Sequence, residues 1–311
     1  MDKLKFIDLF AGTGAFSYVL EKTGKFECVF SNDLALSSKQ IYDLNHKTKL
    51  TLGDLNEMNV EDIPKHDILC GGFPCQPFSI AGEQKGFNDE RSNVFWKIIE
   101  ILRYHKPNII ILENVKNLKS HDKGKTYKII ETELTNLGYH LNVKILDTCK
   151  YTEIPQHRER IYIVGFLEPN QFKFDFPIIK NKKIKDYLEH DINKKYYYSS
   201  KLKVYDKIKQ SVIKHIDDNV VYQYRRYYIR ENKNNCCPTL TANMGGGGHN
   251  VPLLLDDNGI RKLTPRECFN LQGFPLSYIL PDICDSKLYK LAGNAVSIPI
   301  VELIINKIRV N

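Results

Sequence analysis

Apolar residues recur along the first 170 positions in short blocks separated by amphipathic stretches. Lys5-Phe6-Ile7-Asp8-Leu9-Phe10 is an apolar run of strand length that ends at Ala11-Gly12-Thr13-Gly14, and helical spacing follows to about Lys22. Phe26 to Phe30, His66 to Cys70 and Asn108 to Leu112 are further strand-length runs, whereas Val94 to Tyr104 and Lys125 to Leu137 carry the period of amphipathic helices. Strands alternating with helices predict βαβ units and a mainly parallel sheet, because parallel neighbours need a crossover between them. Leu141 to Leu146 and Arg160 to Phe166 lie close together and are expected as two more strands, a hairpin at one sheet edge.

The rhythm stops after Glu168-Pro169. From Lys180 to Lys209 ten lysines face four acidic residues, with Tyr196-Tyr197-Tyr198 among them. The shift predicts a boundary near residue 175 and a second, irregular domain beyond it. Gly245 to Gly248 implies a loop with unusual backbone angles. Order returns at Thr264-Pro265-Arg266-Glu267, a capping box with proline at the first helical position, and a last helix is expected from about Ile298 to Ile308.

Composition sharpens this picture in two ways. The 311 residues are 42% hydrophobic, enough for one large core or a core domain with a smaller companion, and the formal net charge of +8 suits a polyanionic partner. Eight cysteines, at 28, 70, 75, 149, 236, 237, 268 and 284, form no CxxC pair and no zinc spacing, so no metal is expected and seven of them read as small buried hydrophobes. No apolar signal segment opens the chain and no apolar stretch reads as long enough to span a bilayer. The expectation is a reducing cytoplasm with free thiols.

Candidate chemistry gathers at predicted strand ends, where open α/β sheets bind ligands. Asp8-Leu9-Phe10-Ala11-Gly12-Thr13-Gly14 is one such loop, with Asp33 after the second strand placed for ribose hydroxyls and Asp54 for an adenine amino group. Ser17 stands where the dinucleotide fingerprint G-x-G-x-x-G needs its third glycine, which disfavours a nicotinamide-dependent oxidoreductase and favours a nucleoside ligand without phosphates. A plain tight turn is the alternative. A second strand end opens into Gly71-Gly72-Phe73-Pro74-Cys75-Gln76-Pro77-Phe78-Ser79, and a third carries Glu113-Asn114-Val115. A thiol needs a lowered pKa or an acid–base partner to act as a nucleophile, and Glu113 is the candidate partner for Cys75. Gln156-His157-Arg158-Glu159-Arg160 sets two arginines at alternate positions, on one side of an extended chain, to hold a planar base or an anion, or else to form a solvated charged edge.

These segments, followed in order by Arg266 to Pro275 and Gly293-Asn294-Ala295-Val296, resemble the C5-cytosine DNA methyltransferases of bacterial restriction–modification systems. The resemblance covers nearly the whole chain, and the pairing of Pro-Cys-Gln with Glu-Asn-Val is its most specific part. It implies an α/β fold: a Rossmann-like S-adenosylmethionine-dependent methyltransferase domain with a mixed, mostly parallel sheet at 1–175. A small irregular target-recognition domain would occupy 176–284, and 285–311 would return to the catalytic domain. The implied cofactor is S-adenosyl-L-methionine, leaving as S-adenosyl-L-homocysteine, without a metal. The implied partner is double-stranded DNA, bound by a monomer off the membrane, with a cognate restriction endonuclease as a functional rather than physical partner.

The resemblance also assigns residues. Asp8, Phe10, Ala11, Gly12, Thr13, Gly14, Asp33, Leu34, Asp54, Leu55, Pro74, Asn294 and Ala295 would border the cofactor. Leu34 departs from the family, which often has an aromatic residue there, so adenine would lie between Phe10 and an aliphatic side chain. Cys75 would add to carbon 6 of a flipped-out cytosine, Glu113 would bind N3 and the exocyclic amine, Arg160 would hold O2, and Arg158 would help position the ring or the thiolate. Gln76 and Ser79 would touch DNA, and the stretch from Phe78 to Asn93 would close over it; Ala81 stands where some relatives have a serine. In Val221 to Arg230, one of Arg225, Arg226 or Arg230 would contact a base, and Thr239, in a threonine–leucine pair, would contact phosphate. The competing readings are a transfer-RNA cytosine methyltransferase and a non-catalytic DNA-binding regulator. Amino-methylating enzymes are disfavoured because a cysteine replaces their proline–proline–aromatic loop.

Overall fold

The computed structural model describes residues 2–74, 93–225, 227–232, 234–245 and 251–308. The chain divides into two units. The first comprises residues 1–146, 159–175 and 301–311, and the second 147–158 and 176–300.

The first unit is built on seven strands: β1 (Leu4–Leu9), β2 (Phe26–Asp33), β3 (Thr51–Leu52), β4 (Ile68–Gly72), β5 (Ile109–Val115), β6 (His140–Asp147) and β7 (Glu159–Phe166). Their order across the sheet is β3-β2-β1-β4-β5-β7-β6. The pairs among β1 to β5 are parallel and β7 runs antiparallel to β5, which gives the mixed, mostly parallel sheet that the alternation of strands and helices predicts. The two late strands are neighbours at one edge. Crossovers are supplied by α1 (Ala15–Lys22), α2 (Leu36–Asn45), α3 (Asn93–His105) and α4 (Lys125–Asn136). The core lies between sheet and helices: Ile7, Leu69, Ile110 and Ile163 from the strands meet Ile98, Leu102, Ile130 and Leu134 from α3 and α4. Burial on both faces explains why the central strands read as continuous apolar runs without alternation.

Two strands reach further than their apolar runs. β2 continues to Asp33, and β5 continues through Glu113-Asn114-Val115, because those three residues pair with Tyr162, Ile161 and Arg160 of β7. Polar residues thus sit in regular backbone pairing at the functional edge.

The second unit is more regular than its composition implies. After α5 (Thr148–Tyr151) and α6 (Tyr205–Ser211) come β8 (Tyr222–Tyr224), β9 (Ile229–Glu231), β10 (Pro252–Asp256) and β11 (Gly259–Lys262). They form an antiparallel sheet in the order β11-β10-β8-β9, covered by Ile208 and Val212. Strands of three to five residues are too short to reveal alternation in a lysine- and tyrosine-rich sequence. The expected capping box is present: Thr264 Oγ1 accepts from Glu267 N at 3.1 Å, and Glu267 Oε2 accepts from Thr264 N at 2.8 Å, opening α7 (Pro265–Asn270). The chain ends in α8 (Asp285–Asn294) and α9 (Ile298–Lys307).

Four expectations change. Residues 147–158 belong with the second unit, and the return to the first begins at Val301 rather than 285. The cysteines are not all free: Cys149 and Cys236 form a disulfide across 87 positions of sequence. No spacing rule links such a distant pair; they meet because the segments that bear them fold side by side. Cys284 is exposed rather than buried. Finally, Asp285–Lys307 is long and apolar enough to cross a membrane by length and composition, but 72% of its most apolar window is buried within the protein. Asn294 and Ser297 interrupt its apolar pattern, which is why it does not stand out as one run.

Candidate active site

The loop after β1 is shaped by its neighbour β2. Leu9 pairs with Asn32, and Ala11 N donates to Asn32 O at 2.9 Å, so the turn lies beside Asp33. The Asp33 carboxylate is braced on both oxygens: Oδ2 accepts from Gly12 N at 3.0 Å and Oδ1 from Ala35 N at 2.8 Å. Each oxygen retains a lone pair for a ligand hydroxyl. Phe10 turns the chain with a left-handed φ of 55° and packs partly against the core. Gly14 must be glycine: its φ is 67°, and a Cβ there would stand 2.3 Å from His46 Nε2. Thr13 is buried, and Ala11 packs with Tyr42 and Leu50.

Beneath this loop Asp8 is almost wholly buried. Its Oδ2 accepts from Ser17 N at 3.2 Å and Ser17 Oγ at 2.7 Å, while Oδ1 has no hydrogen-bond partner among the described residues. Burial pushes the Asp8 carboxyl up to about 6, against the lowering effect of those bonds. Ser17, which reads in sequence only as a missing glycine, is the residue that holds Asp8. Asn32 was also not legible as functional: its Nδ2 donates to Thr51 O and Gly53 O at 3.0 Å each and so fixes the approach to Asp54. Asp54 Oδ1 accepts from Asn56 N at 2.9 Å, capping a short 3-10 turn, and Leu55 is buried in the core. Leu34 is 70% exposed and Leu36 57% exposed, leaving an apolar surface next to the braced carboxylate. A hydroxyl-accepting carboxylate, an apolar face and an unpartnered buried carboxylate oxygen fit a nucleoside that carries a cationic tail.

At the next strands, Gly72 pairs with Glu113 across β4 and β5. Asn114 Nδ2 donates to Phe73 O at 2.9 Å, and Asn114 Oδ1 accepts from Val115 N at 2.8 Å. The side chain between Glu113 and Val115 therefore pins the chain just before Pro74, which is exposed. Cys75, Gln76 and Ser79 lie outside the described residues, as do Ala81 and nearly all of the stretch expected to close over DNA. Glu113 is buried to 7% exposure, and Arg160 Nε stands 3.2 Å from its Oε1. The register of β5 on β7, with Val115 opposite Arg160, brings the two together across the sheet. Arg160 also donates from Nη1 to Glu159 O at 2.8 Å, and Glu159 pairs with Lys116.

The two arginines of 158–160 do not share a task. Arg158 is 2% exposed, and its guanidinium donates to Leu240 O at 3.0 Å, Gly293 O at 3.2 Å and Ala295 O at 2.7 Å. A fork so engaged holds protein, not a base; alternation along an extended chain predicts a shared side but not which partners fill it. In the same unit, Asn294 is exposed at the end of α8 and Ala295 is buried. Thr239 donates its hydroxyl to His157 O at 2.6 Å, so a phosphate would have to compete for that proton. Arg230 is exposed but engages Gln223 Oε1 at 3.4 Å and Asn232 Oδ1 at 3.1 Å across the β8–β9 hairpin. Arg225 stands at the hairpin turn, its Nε buried without a partner among the described residues, and Arg226 lies outside them. Among the described residues no group of three or more His, Cys, Asp or Glu is placed to hold a metal ion.

Comparison with known proteins identifies the family. The model of the C-5 cytosine-specific DNA methylase family matches residues 4–310. The type II methyltransferase M.Bsp6I of Bacillus sp. (strain RFL6) is 45% identical over 98% of each chain. The type II methyltransferase M.HhaI of Haemophilus parahaemolyticus is 38% identical over 97% of this chain and 93% of its own. Among solved structures, the Dnmt2 methyltransferase of S. pombe superposes with a TM-score of 0.79 at 22% identity, covering 97% of both chains, a likeness of fold. The chain belongs to the C-5 cytosine-specific DNA methylase family.

Proposed function

We propose that the chain is the modification methyltransferase of a restriction–modification system, acting on the carbon 5 position of one cytosine within a specific duplex sequence in the cytoplasm. The observation that carries the residue assignment is the register of β4 on β5 and of β5 on β7. It sets Glu113 opposite Gly72, three positions before Cys75 in sequence, and against Arg160.

Carbon 5 of cytosine is a poor nucleophile. Cys75 adds as thiolate to carbon 6, which breaks the ring conjugation and moves electron density to carbon 5. Glu113 hydrogen-bonds to N3 and the exocyclic amine and delivers a proton to N3 as charge builds. Arg160 keeps Glu113 oriented and donates to O2. When bound, S-adenosylmethionine supplies the electrophilic methyl group that carbon 5 takes. A base then removes the carbon 5 hydrogen, and the thiolate of Cys75 leaves by elimination. Asp33 would hold the ribose hydroxyls of the cofactor, Phe10 and Leu34 would flank its adenine, and Asp8 would border it from beneath the loop. Carbon 6 is inaccessible in a stacked duplex, so the target base is extruded at a cost of roughly a few kcal/mol.

The relatives named as type II methyltransferases support the restriction–modification setting. Bisulfite sequencing of DNA from a host expressing the chain tests the reading, with methylated cytosines expected in one sequence context. A transfer-RNA pool offered alongside duplex DNA should remain unmodified. A fluorinated cytosine duplex should trap a covalent adduct that Cys75→Ala fails to form; methylation retained by Cys75→Ala would overturn the mechanism.

A further inference from the structure

The disulfide between Cys149 and Cys236 has surroundings that suit its broken form as well. The Asn181 side chain stands against it, with Oδ1 3.3 Å from Cys149 Sγ and 4.0 Å from Cys236 Sγ. The amide is held this way round because its Nδ2 donates to Cys149 O at 2.6 Å, Thr152 O at 2.8 Å and Ile154 O at 3.4 Å. Sulfurs joined to each other have no proton to give Oδ1, whereas two thiols have one each. The segments that carry the pair are also paired without the bond. Cys237 N donates to Pro155 O at 2.6 Å, His157 N to Cys237 O at 2.8 Å, Thr239 Oγ1 to His157 O at 2.6 Å and Arg158 Nη1 to Leu240 O at 3.0 Å. The two sulfurs differ in access: Cys149 is half-buried, whereas Cys236 is buried. Cys237, the next residue, is wholly buried, and burial pushes its thiol far above the ordinary range, so it keeps its proton and does not attack its neighbour.

We propose that Cys149 and Cys236 are a reversible redox pair that exchanges with low-molecular-weight thiols of the glutathione class through the Cys149 sulfur, and that the second unit is folded in both states. Opening begins when a small thiolate attacks Cys149 Sγ. The bond between the two cysteines breaks, and Cys236 leaves as a thiolate and takes up a proton. A second small thiol attacks the mixed disulfide and releases Cys149 as a thiolate, which is protonated in turn. Two small thiols become one small disulfide, and the protein gains two electrons and two protons. Closing is the reverse, with the small disulfide as oxidant. In the open state the new S–H groups are donors for Asn181 Oδ1. In the closed state the bond spans 87 positions of sequence and restricts the unfolded chain, so this state is the more stable one. The pair therefore makes the stability of the second unit follow the thiol state of its surroundings.

The test uses the intact chain without DNA or cofactor, so its outcome is independent of the catalytic reading. The protein is equilibrated in mixtures of reduced and oxidised glutathione, free thiols are alkylated, and the joined Cys149 and Cys236 peptides are counted by mass spectrometry, apart from the exposed Cys284. Half-conversion should fall within the ratios such mixtures span. Both states should keep the folded circular dichroism signature, with the dithiol melting roughly 5–10 °C lower. Asn181→Leu removes the acceptor that only the dithiol uses, so it should move the midpoint about 3- to 10-fold toward the bonded state. An asparagine that served only as scaffold would lower the melting temperature of both states and leave the midpoint in place. Cys149→Ser should melt at the lower temperature at every ratio, which keeps the idea testable if Asn181→Leu folds poorly. A pair that stays open in excess oxidised glutathione, a bond reduced only when the chain unfolds, or a folded Asn181→Leu with an unchanged midpoint would overturn the inference.

Discussion

At Glu113 and Arg160 a buried carboxylate and a half-buried guanidinium define what the edge of the sheet can do. The ion pair orients a carboxylate that must meet a ring nitrogen, so Glu113→Gln should keep DNA affinity and reduce single-turnover methylation by about 10²–10⁴. Arg160→Ala leaves Glu113 buried without this partner. It should cost stability on the order of 3 kcal/mol as well as activity, read by denaturant unfolding. Asp8 makes a different kind of statement. Its carboxyl is held near 6 against an ordinary 3.8, so the folded chain keeps the proton longer than the unfolded chain does. The associated stability is full below the ordinary value, is lost as pH rises through about 6, and is constant above it. The shift corresponds to about 3 kcal/mol. Asp8→Asn should therefore abolish this decline when unfolding is followed from pH 4 to pH 8; an unchanged profile would show that Asp8 does not titrate there.

Among the elements, the β1 turn and the β8–β9 hairpin carry the sharpest expectations. Gly14→Ala must put a methyl where His46 sits and adopt a left-handed backbone, so it should lower both the melting temperature and the affinity for S-adenosylhomocysteine. In the hairpin, Arg230 is tied to Gln223 and Asn232 while Arg225 has an unpartnered Nε. Arg225→Ala should relax discrimination at one base pair by about 1–3 kcal/mol, measured as the ratio of methylation rates on matched and mismatched duplexes. Arg230→Ala should leave that ratio nearly unchanged and loosen the hairpin. The strands of the first unit were legible because both faces are buried and their apolar runs are long; those of the second were not, because three-residue strands leave no period. The roles of Ser17 and Asn32 are not legible in sequence, because a lone polar residue carries no signal until its partners are known.

For the molecule as a whole, charge and burial set the conditions of work. With a net charge of +8 and a lysine-rich stretch between 180 and 209, duplex binding should weaken steeply with salt. The slope of log K against log salt should be about −0.9 for each phosphate contact. A flat salt response would argue against backbone contacts as the source of affinity. The pH response of stability is a sum of opposing parts. Burial pulls His66 down to about 4, so its contribution is present above the ordinary histidine value of 6.5 and is lost as pH falls toward 4, the reverse of Asp8 in nearly the same window. His66→Gln should flatten the acid limb that Asp8 alone does not explain.

The alternation of strands and helices in the first unit, the position of the glycine turn and the Pro-Cys and Glu-Asn-Val segments were determined by the sequence itself. Each rests on local properties: periodicity, backbone freedom at glycine, and residue types set next to one another. Tertiary structure decided which groups meet. Strand register brought Glu113 to Arg160, and folding of 147–158 against distant segments gave Cys149 its disulfide partner and Arg158 its three carbonyls. The reason is physical: hydrogen bonds and ion pairs depend on distances of about 3 Å between groups far apart in the chain, and no local pattern encodes those distances.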